Sequence, residues 1–277
     1  NPNEIPNNGK DDDGNGFIDD TNGWDFRDND NNPDDEVSDK NPGHGTHCAG
    51  IIGAVSNNGI GIASIAHNVS LMGIRFLGAD GSGDLLSAAK AIDYAVDNGA
   101  HIISASWGAA VARSGVKPIL EAIERAKEKG ILFVAAAAND GKSNDVREVY
   151  PANAGLSNVI SVAASNSDDV KPSWSNYGKS TVDLASPGAG ILSTIPGNTY
   201  RLLSGTSMAT PLVAGAASLI LSQARDANKV VTPEEIKALL QSTGTKVKIE
   251  TACECRFDMV SALEALSQEK MTAVPFT

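Results

Sequence analysis

Short apolar runs alternate with helical patterns from residue 44 onward, and this alternation constrains the fold more than any other feature. Repeated strand–helix alternation predicts a parallel sheet that is covered by helices on both faces. The 277 residues and 41% hydrophobic content allow one large domain or two small ones. We predict an α/β fold with a mostly parallel central sheet. The predicted strands are residues 70–77, 101–107, 131–138 and 159–164, and the predicted helices are residues 84–96, 118–129, 206–224, 232 onward and 259–266.

The helix that follows Thr232 has the clearest boundary signal. Thr232 is a preferred N-cap residue, Pro233 suits the first helical position, and Glu235 completes a capping box. Residues 1–43, in contrast, are rich in Asp, Asn, Gly and Pro, which predicts loops.

Charge limits the partners. The net charge is -12, and residues 1–40 hold 13 acidic but only three basic residues. Nucleic acid is therefore not an expected partner, because phosphate binding needs clustered Lys and Arg. The longest unbroken apolar run, residues 131–138, is far shorter than the roughly 18 residues that span a bilayer. No membrane span is predicted.

Two short motifs contain candidate nucleophile and base residues. His44 lies between glycines, which let the backbone approach a neighbour closely, and His47 follows in the same run. Read alone, this run fits two loop histidines or half of a metal site. Ser207 opens a helix of small residues, where it is either an ordinary N-cap or a nucleophile at the positive end of the helix.

Polar residues also follow two predicted strands. Ser106 and Asn139 lie at carboxyl ends, where the chemistry of parallel sheets collects. Asn139 either starts a turn or directs its amide donor at an oxyanion.

Four motifs, taken in their order along the chain, resemble the subtilisin-like protease family. The resemblance covers residues 1 to about 268, and it implies a three-layer α/β/α peptidase domain that is followed by a C-terminal tail, residues 269–277. Its motifs are His44-Gly-Thr-His-Cys-Ala-Gly, Ser106-Trp-Gly, Ala-Ala-Ala-Ala-Asn139 and Gly-Thr-Ser207-Met-Ala-Thr-Pro.

The resemblance implies a serine endopeptidase that hydrolyses polypeptides by a Ser-His-Asp mechanism. Ser207 would attack the scissile carbonyl, and His44 would take the hydroxyl proton and deliver it to the leaving amine. The Asn139 side chain and the Ser207 N–H would stabilise the oxyanion.

The same resemblance implies the substrate-binding residues. Residues 106–108 and residues 80–83 would pair with the extended substrate as neighbouring strands. The family usually has Gly where this chain has Ala138, and often Gly where it has Val149, so we expect a pocket for small or medium apolar side chains. The turn at Tyr150-Pro151 resembles one in which the bond is cis. The implied residues are Ser106, Trp107, Gly108, Asp80, Gly81, Ser82, Gly83, Ala138 and Val149.

One family feature is missing: the early strand with its catalytic Asp does not occur in residues 1–43. We expect an upstream N-terminal fragment of the same precursor to supply it, with Asp25 as the best internal substitute. Residues 1–43 would then be an acidic insert of calcium-binding type. A secreted, cell-surface or periplasmic zymogen fits this interpretation. The alternative is an inactive subtilase-fold binding or regulatory module.

Calcium is the expected cofactor. Residues 11–20 fit most of a calcium loop, with Gly16 at the sharp turn. The alternative is a solvated acidic loop. Asn58 lies in a run that resembles the family's high-affinity calcium loop. The predicted ligands are Asp11, Asp13, Asn15, Phe17 (by its carbonyl), Asp19 and Asn58.

The cysteines leave the redox compartment open. Cys48 fits a buried free thiol, because it lies in a run of small apolar residues. Cys253 and Cys255 fit a mutual disulfide, a metal site or reduced thiols, and an odd count also permits pairing outside the chain.

Overall fold

The computed structural model describes residues 1–272, with side chains through residue 268. Ten strands and six α-helices alternate along this part of the chain. The strands are β1 Gly23–Asp25, β2 Gly73–Arg75, β3 Ile102–Ala105, β4 Leu132–Ala136, β5 Val159–Ser165, β6 Leu184–Pro187, β7 Ile191–Ile195, β8 Thr199–Leu203, β9 Thr245–Lys246 and β10 Cys255–Arg256. The helices are α1 His44–Gly53, α2 Leu85–Asp97, α3 Lys117–Glu128, α4 Thr206–Asp226, α5 Pro233–Thr243 and α6 Met259–Thr272.

The central sheet has the strand order β3-β4-β5-β6-β10-β9. All of its pairings are parallel except that of β9 with β10. A separate parallel pair joins β1 to β2, and β7 and β8 form an antiparallel hairpin. The predicted mostly parallel α/β fold is confirmed.

Two apolar clusters flank the central sheet and make it the middle of three layers. On one face, Val134, Ile160 and Val162 pack with residues of α4, α5 and α6. On the other, Phe133 and Val159 pack with residues of α2 and α3. Every residue of β4 and β5 is buried, which is typical of parallel strands covered on both faces.

The predicted capping box is confirmed at the start of α5. The Thr232 side chain accepts a hydrogen bond from the Glu235 N–H, and the Glu235 carboxylate accepts one from the Thr232 N–H. Helix α4 is long and apolar enough to span a membrane, but much of it is buried against the sheet as a core helix.

The prediction of loops throughout residues 1–43 was wrong at Gly23–Asp25, which form β1. This short strand is stabilised by pairing with β2, which lies about 50 residues further along the chain. A pattern within residues 1–43 cannot reveal that partner. The predicted C-terminal tail, residues 269–277, begins inside α6. Residues 273–277 of that tail lie outside the described part of the chain.

Candidate active site

His44 is the first residue of α1, and a glycine sets the direction in which the chain enters that helix. Gly43 has a φ of 102°, a left-handed value that favours glycine. A Cβ atom there would lie 2.1 Å from Cδ of Pro196, so no larger residue fits without movement. The His44 N–H donates to Oδ1 of Asn41 at 2.8 Å, which fixes the entry turn from the other side.

Asp35 caps the same helix from outside. Its carboxylate accepts hydrogen bonds from the backbone N–H groups of Gly45 and Thr46 at 3.3 and 2.7 Å. Burial lowers the pKa of His44, and the negative charge of Asp35 opposes that shift. A lowered pKa keeps the imidazole neutral near pH 7, which is the form that accepts a proton. Among the described residues, no carboxylate bonds to the His44 ring.

His47 lies one turn into α1 and has a structural role. It is fully buried, and its Nε2 atom lies 3.1 Å from the Ile191 carbonyl oxygen and 2.9 Å from that of Arg201. Burial lowers the pKa of His47, although these two contacts oppose the shift. The ring therefore ties α1 to the β7–β8 hairpin, and only His44 of the pair is half-buried and lines the cleft.

Ser207 lies in the first turn of α4, where backbone N–H groups have no partner inside the helix. Its hydroxyl donates to the Ser106 carbonyl at 3.3 Å, and the Ser106 hydroxyl donates to the Ser207 carbonyl at 2.8 Å. The Cys48 thiol also donates to the Ser207 carbonyl, at 3.3 Å. Because His44 precedes Cys48 by one turn of α1, both residues lie on the helix face directed at Ser207.

Asn139 is oriented by its carbonyl group. The Oδ1 atom accepts hydrogen bonds from the N–H and hydroxyl of Thr206 at 2.9 and 3.0 Å. The amide donor Nδ2 is left free of these bonds, and a Cβ built on Gly205 would lie only 3.5 Å from it. The amide therefore lies beside the chain segment that leads into Ser207, as an oxyanion donor requires.

The sequence profile of the subtilase family matches residues 5–256. This chain belongs to the subtilase family. Among its relatives, thermitase of Thermoactinomyces vulgaris is 46% identical over 225 residues, which cover 81% of this chain and 74% of thermitase. The thermophilic serine proteinase of Bacillus sp. strain AK1 is 42% identical, over 81% of this chain and 51% of that protein.

Solved subtilase structures share the fold. A protease from Pseudoalteromonas arctica superposes with a TM-score of 0.75 at 30% identity, over 88% of this chain and 83% of that one. A cold-adapted subtilisin-like serine proteinase gives a TM-score of 0.69 at 33% identity, over 81% of this chain and 74% of that one. The predicted family is therefore confirmed, and membership supports serine peptidase chemistry.

A groove separates two strand edges of this subtilase. Within the described residues, β2 pairs only with β1, and β3 pairs along one edge only, with β4. The cavity between them has a volume of about 2020 Å³, and it reaches His44 and Cys48. Its apolar lining includes Ile74, Ala88, Ala91, Ile92, Ile102, Ile103, Ala214 and Leu221. The hydroxyl of Ser104 on β3 is buried without a described hydrogen-bond partner.

Asp25, the internal candidate for the catalytic carboxylate, is engaged elsewhere. It is 1% exposed and forms an ion pair with Arg75 at 2.6 Å. Its other oxygen accepts from the backbone N–H groups of Arg27 and Asp28. One oxygen therefore links β1 to β2, and the other holds the turn that follows β1.

Both predicted substrate-binding segments line the cleft. Ser106–Gly108 leave the carboxyl end of β3, and Gly81–Gly83 line the opposite side. Asp80 shapes the second segment, because its carboxylate accepts from both the N–H and the hydroxyl of Ser82. Trp107 packs edge-on against Phe76, with ring centroids 5.0 Å apart, which joins the two sides.

The two residues predicted to narrow the pocket have different environments. Val149 is 2% exposed, and its Cγ1 atom would lie 3.1 Å from a Cβ built on Gly108. Its side chain therefore packs directly against one substrate-binding segment. Ala138 has a φ of 87°, a backbone conformation that costs a non-glycine residue about 1–2 kcal/mol. The Tyr150–Pro151 bond that follows Val149 is cis.

The three carboxylates of the predicted calcium loop, Asp11, Asp13 and Asp19, do not meet in one acidic cluster. Asp11 accepts hydrogen bonds from the N–H groups of Gly14, Asn15 and Gly16, and Asp19 accepts from those of Asn8 and Gly9. The Phe17 ring packs against Trp24 and Tyr94. Of the five predicted positions, Asp13 alone joins an acidic cluster, and its partners are Glu4 and Asp20.

Asn58 and the cysteines complete the predicted positions. Oδ1 of Asn58 accepts from the Ile60 N–H at 2.9 Å in an exposed loop. Cys253 and Cys255 form a disulfide, so one of the open alternatives is realised. Cys48 is free, and burial raises the pKa of its thiol to about 12, which keeps it protonated.

Sequence reasoning missed three contributors to the sites. Asp35 caps α1 from a loop, and Thr206 orients Asn139 although its place in the serine motif suggested nothing beyond helix initiation. Glu4 was missed because a lone acid in a polar stretch is ordinary, and only its burial distinguishes it.

Proposed function

We propose that this chain is the larger part of a serine endopeptidase, with Ser207 as the nucleophile, His44 as the base and Asn139 as an oxyanion donor. The observation that carries this proposal is the convergence on Ser207. The α1 face that contains His44 contacts it through Cys48, and the Asn139 amide lies beside Gly205 and Thr206, which lead into it.

The proposed reaction requires the Ser207 hydroxyl to turn from the Ser106 carbonyl towards His44. Neutral His44 removes the hydroxyl proton as Ser207 Oγ attacks the scissile carbonyl, and the imidazolium then protonates the leaving amine. The Ser207 N–H and Asn139 Nδ2 stabilise the tetrahedral oxyanion, assisted by the positive end of α4. Water then attacks the acyl-enzyme with His44 again as the base, which releases the second product and restores Ser207.

The carboxylate that completes the mechanism is proposed to come from an upstream segment of the same precursor. An apolar strand that contains an Asp would insert between β2 and β3 and join the two sheets. The unpaired edges, the apolar lining and the unpartnered hydroxyl of Ser104 support this occupant. The groove reaches His44, so a carboxylate on that strand would lie beside the imidazole.

Polypeptides are the proposed substrates, and a secreted or cell-surface protein matured from a zymogen is the proposed context. Calcium is the proposed stabilising ion. Residues 1–40 hold 13 acidic but only three basic residues, and a cation relieves the repulsion within such a segment.

Covalent labelling tests the proposed nucleophile. The chain, expressed with its upstream coding sequence, should react with a fluorophosphonate probe at Ser207, and peptide mapping should locate the adduct there. Ser207→Ala should remove both labelling and peptide hydrolysis. Ser204→Ala, which changes a nearby hydroxyl in the same motif, serves as the matched control and should remain labelled. Labelling that persists in Ser207→Ala would refute the assignment.

An inactive binding module is the second candidate. It is favoured by one observation, that no carboxylate of residues 1–268 bonds to the His44 ring. The same labelling experiment separates the two functions, because a binding module would stay unlabelled even with the upstream sequence present.

A further inference from the structure

Three carboxylates converge in the N-terminal segment, away from Ser207. Glu4, Asp13 and Asp20 each offer an oxygen within 4.8 Å of the others. Calcium binds its oxygen ligands at about 2.3–2.6 Å, so two ligands of one ion lie at most about 5 Å apart. The spacing of these oxygens therefore matches that of ligands around a single ion.

The burial of this cluster separates it from an ordinary acidic surface. Glu4 is 7% exposed and Asp20 is fully buried. One Glu4 oxygen, Oε1, accepts from the Asp12 N–H at 2.7 Å. The other, Oε2, is buried and has no hydrogen-bond partner. A buried carboxylate oxygen without a partner is costly, which indicates that a ligand satisfies it.

The described partners of the cluster are neutral. The Asn1 amide donates to Asp13 and Asp20, and the Asn15 amide donates to Asp20 at 2.9 Å. None of the described ion pairs includes any of the three carboxylates. Neutral amide groups cannot offset several like charges in a buried site, whereas a cation can.

Aromatic residues line one side of the cluster, and this strengthens the need for a cation. The Tyr94 hydroxyl donates to Asp20 at 2.5 Å, and the Tyr94 ring packs against Phe17 at 4.9 Å. The hydroxyl therefore satisfies one Asp20 oxygen with a neutral donor, which leaves the charge of that buried carboxylate without a counter-charge.

We propose that Glu4, Asp13 and Asp20 bind one calcium ion. The donor set consists of oxygens only, which selects a hard cation, and side chains rich in carboxylates suit calcium. Magnesium prefers to keep several of its waters, which fits a site enclosed by aromatic rings less well.

This site differs from the loop that the sequence predicted. In that loop, Asp11 and Asp19 supply ligands, whereas here both accept backbone N–H groups and shape the turn around the ion. The bound ion would fasten residues 4–20 to α2 through Tyr94 and Asn98, because Asn98 accepts a hydrogen bond from Asn15. The choice of calcium rests on the proposed function, but the site is independent of Ser207 chemistry.

Terbium luminescence tests the site directly, since Tb³⁺ substitutes for calcium and nearby tyrosine and tryptophan sensitise its emission. The whole chain, stripped with chelator, should show saturable emission that calcium displaces. Glu4→Gln and Asp20→Asn should lose this emission. Tyr94→Phe should reduce emission while leaving calcium-dependent stabilisation in place, because it removes a sensitiser and no ligand.

The matched control is Asp39→Asn, which removes one exposed charge from the same acidic segment and should leave emission unchanged. A second readout covers variants that fold poorly. In chelator, Glu4→Gln should melt no lower than the parent, because repulsion is relieved, whereas in calcium it should melt lower. Emission that survives Glu4→Gln and Asp20→Asn would overturn the site, and so would emission lost only in Asp11→Asn. Fluorophosphonate labelling of Ser207 is a separate measurement, so failure here leaves the proposed peptidase unaffected.

Discussion

The two halves of the molecule on either side of the groove are built differently. On the β3 side, β4 and β5 are buried along their whole length, and Asn139 and Ser207 are held by bonds to their immediate surroundings. On the β1–β2 side, a pair of three-residue strands is held by the Asp25–Arg75 ion pair, and no residue of β2 is fully buried. Ser207 and Asn139, the proposed nucleophile and oxyanion donor, therefore belong to a rigid framework. The residues that complete the site belong to a half that depends on polar and ionic contacts.

The largest expected effect tests whether the β1–β2 half is incomplete. We expect the chain expressed from Asn1 to have a kcat lower by about four orders of magnitude than the chain with its upstream coding sequence, because nothing else fixes the His44 tautomer. Peptide hydrolysis by both preparations at matched active-site titre measures this. Equal activity would show that a carboxylate within this chain completes the triad, and that the groove needs no added strand.

A smaller effect is expected within the rigid half. Asn139→Ala should lower kcat by about 10²–10³-fold, the usual effect of removing one oxyanion donor, while KM changes little. Thr206→Val, which keeps the shape but removes the hydroxyl bonded to Asn139, should have a weaker effect in the same direction. A change confined to KM would indicate that Asn139 contacts substrate only in the ground state.

A change in the substrate pocket beside Val149 should have a smaller effect on kcat/KM. Val149→Gly should enlarge the space beside Gly108 and raise kcat/KM for substrates with Phe relative to Ala at the cleaved position, by about 1–3 kcal/mol. Profiling with paired peptides measures the ratio for parent and variant. If the parent already strongly prefers aromatic side chains, the side chain of Val149 does not limit the pocket.

The smallest effect concerns Asp35, on the side of the groove held by polar contacts. Burial lowers the pKa of His44 and Asp35 opposes that shift, so Asp35→Asn should lower the pKa further. As the proposed base, His44 acts in its neutral form, and therefore the acid limb of the kcat/KM profile should move to lower pH. A limb that moves to higher pH, or does not move, would show that Asp35 acts on α1 only as a cap.

The sequence predicted the two halves unequally, for a physical reason. Helices α2, α3 and α4 and strands β4 and β5 have strong periodic patterns, so their positions were predicted to within a few residues. Strand β1 was missed because Gly23-Trp24-Asp25 has no alternation and becomes a strand only by pairing with β2. The helix at His44 was not identified because its glycines favour a loop, and its caps are supplied by Asn41 and Asp35 from outside.

The residues of the candidate sites were also predicted unequally from the sequence. Ser207 and Asn139 were identified from motifs at the ends of a helix and a strand, where local sequence dictates geometry. The acidic cluster of Glu4, Asp13 and Asp20 was not, because Glu4 and Asp20 meet through a fold of the chain that no spacing rule describes. Asp11 and Asp19, which the spacing predicted as calcium ligands, each accept backbone N–H groups.

The groove also affects how the protein behaves at high concentration. Unpaired strand edges recruit other strands and are a common origin of aggregation. Here residues of α2 and α4 line the groove between the two edges, which leaves less room for a folded neighbour than for a flexible polypeptide. Without a strand in place, the chain should therefore capture loose peptides from a lysate more readily than it stacks into ordered fibrils.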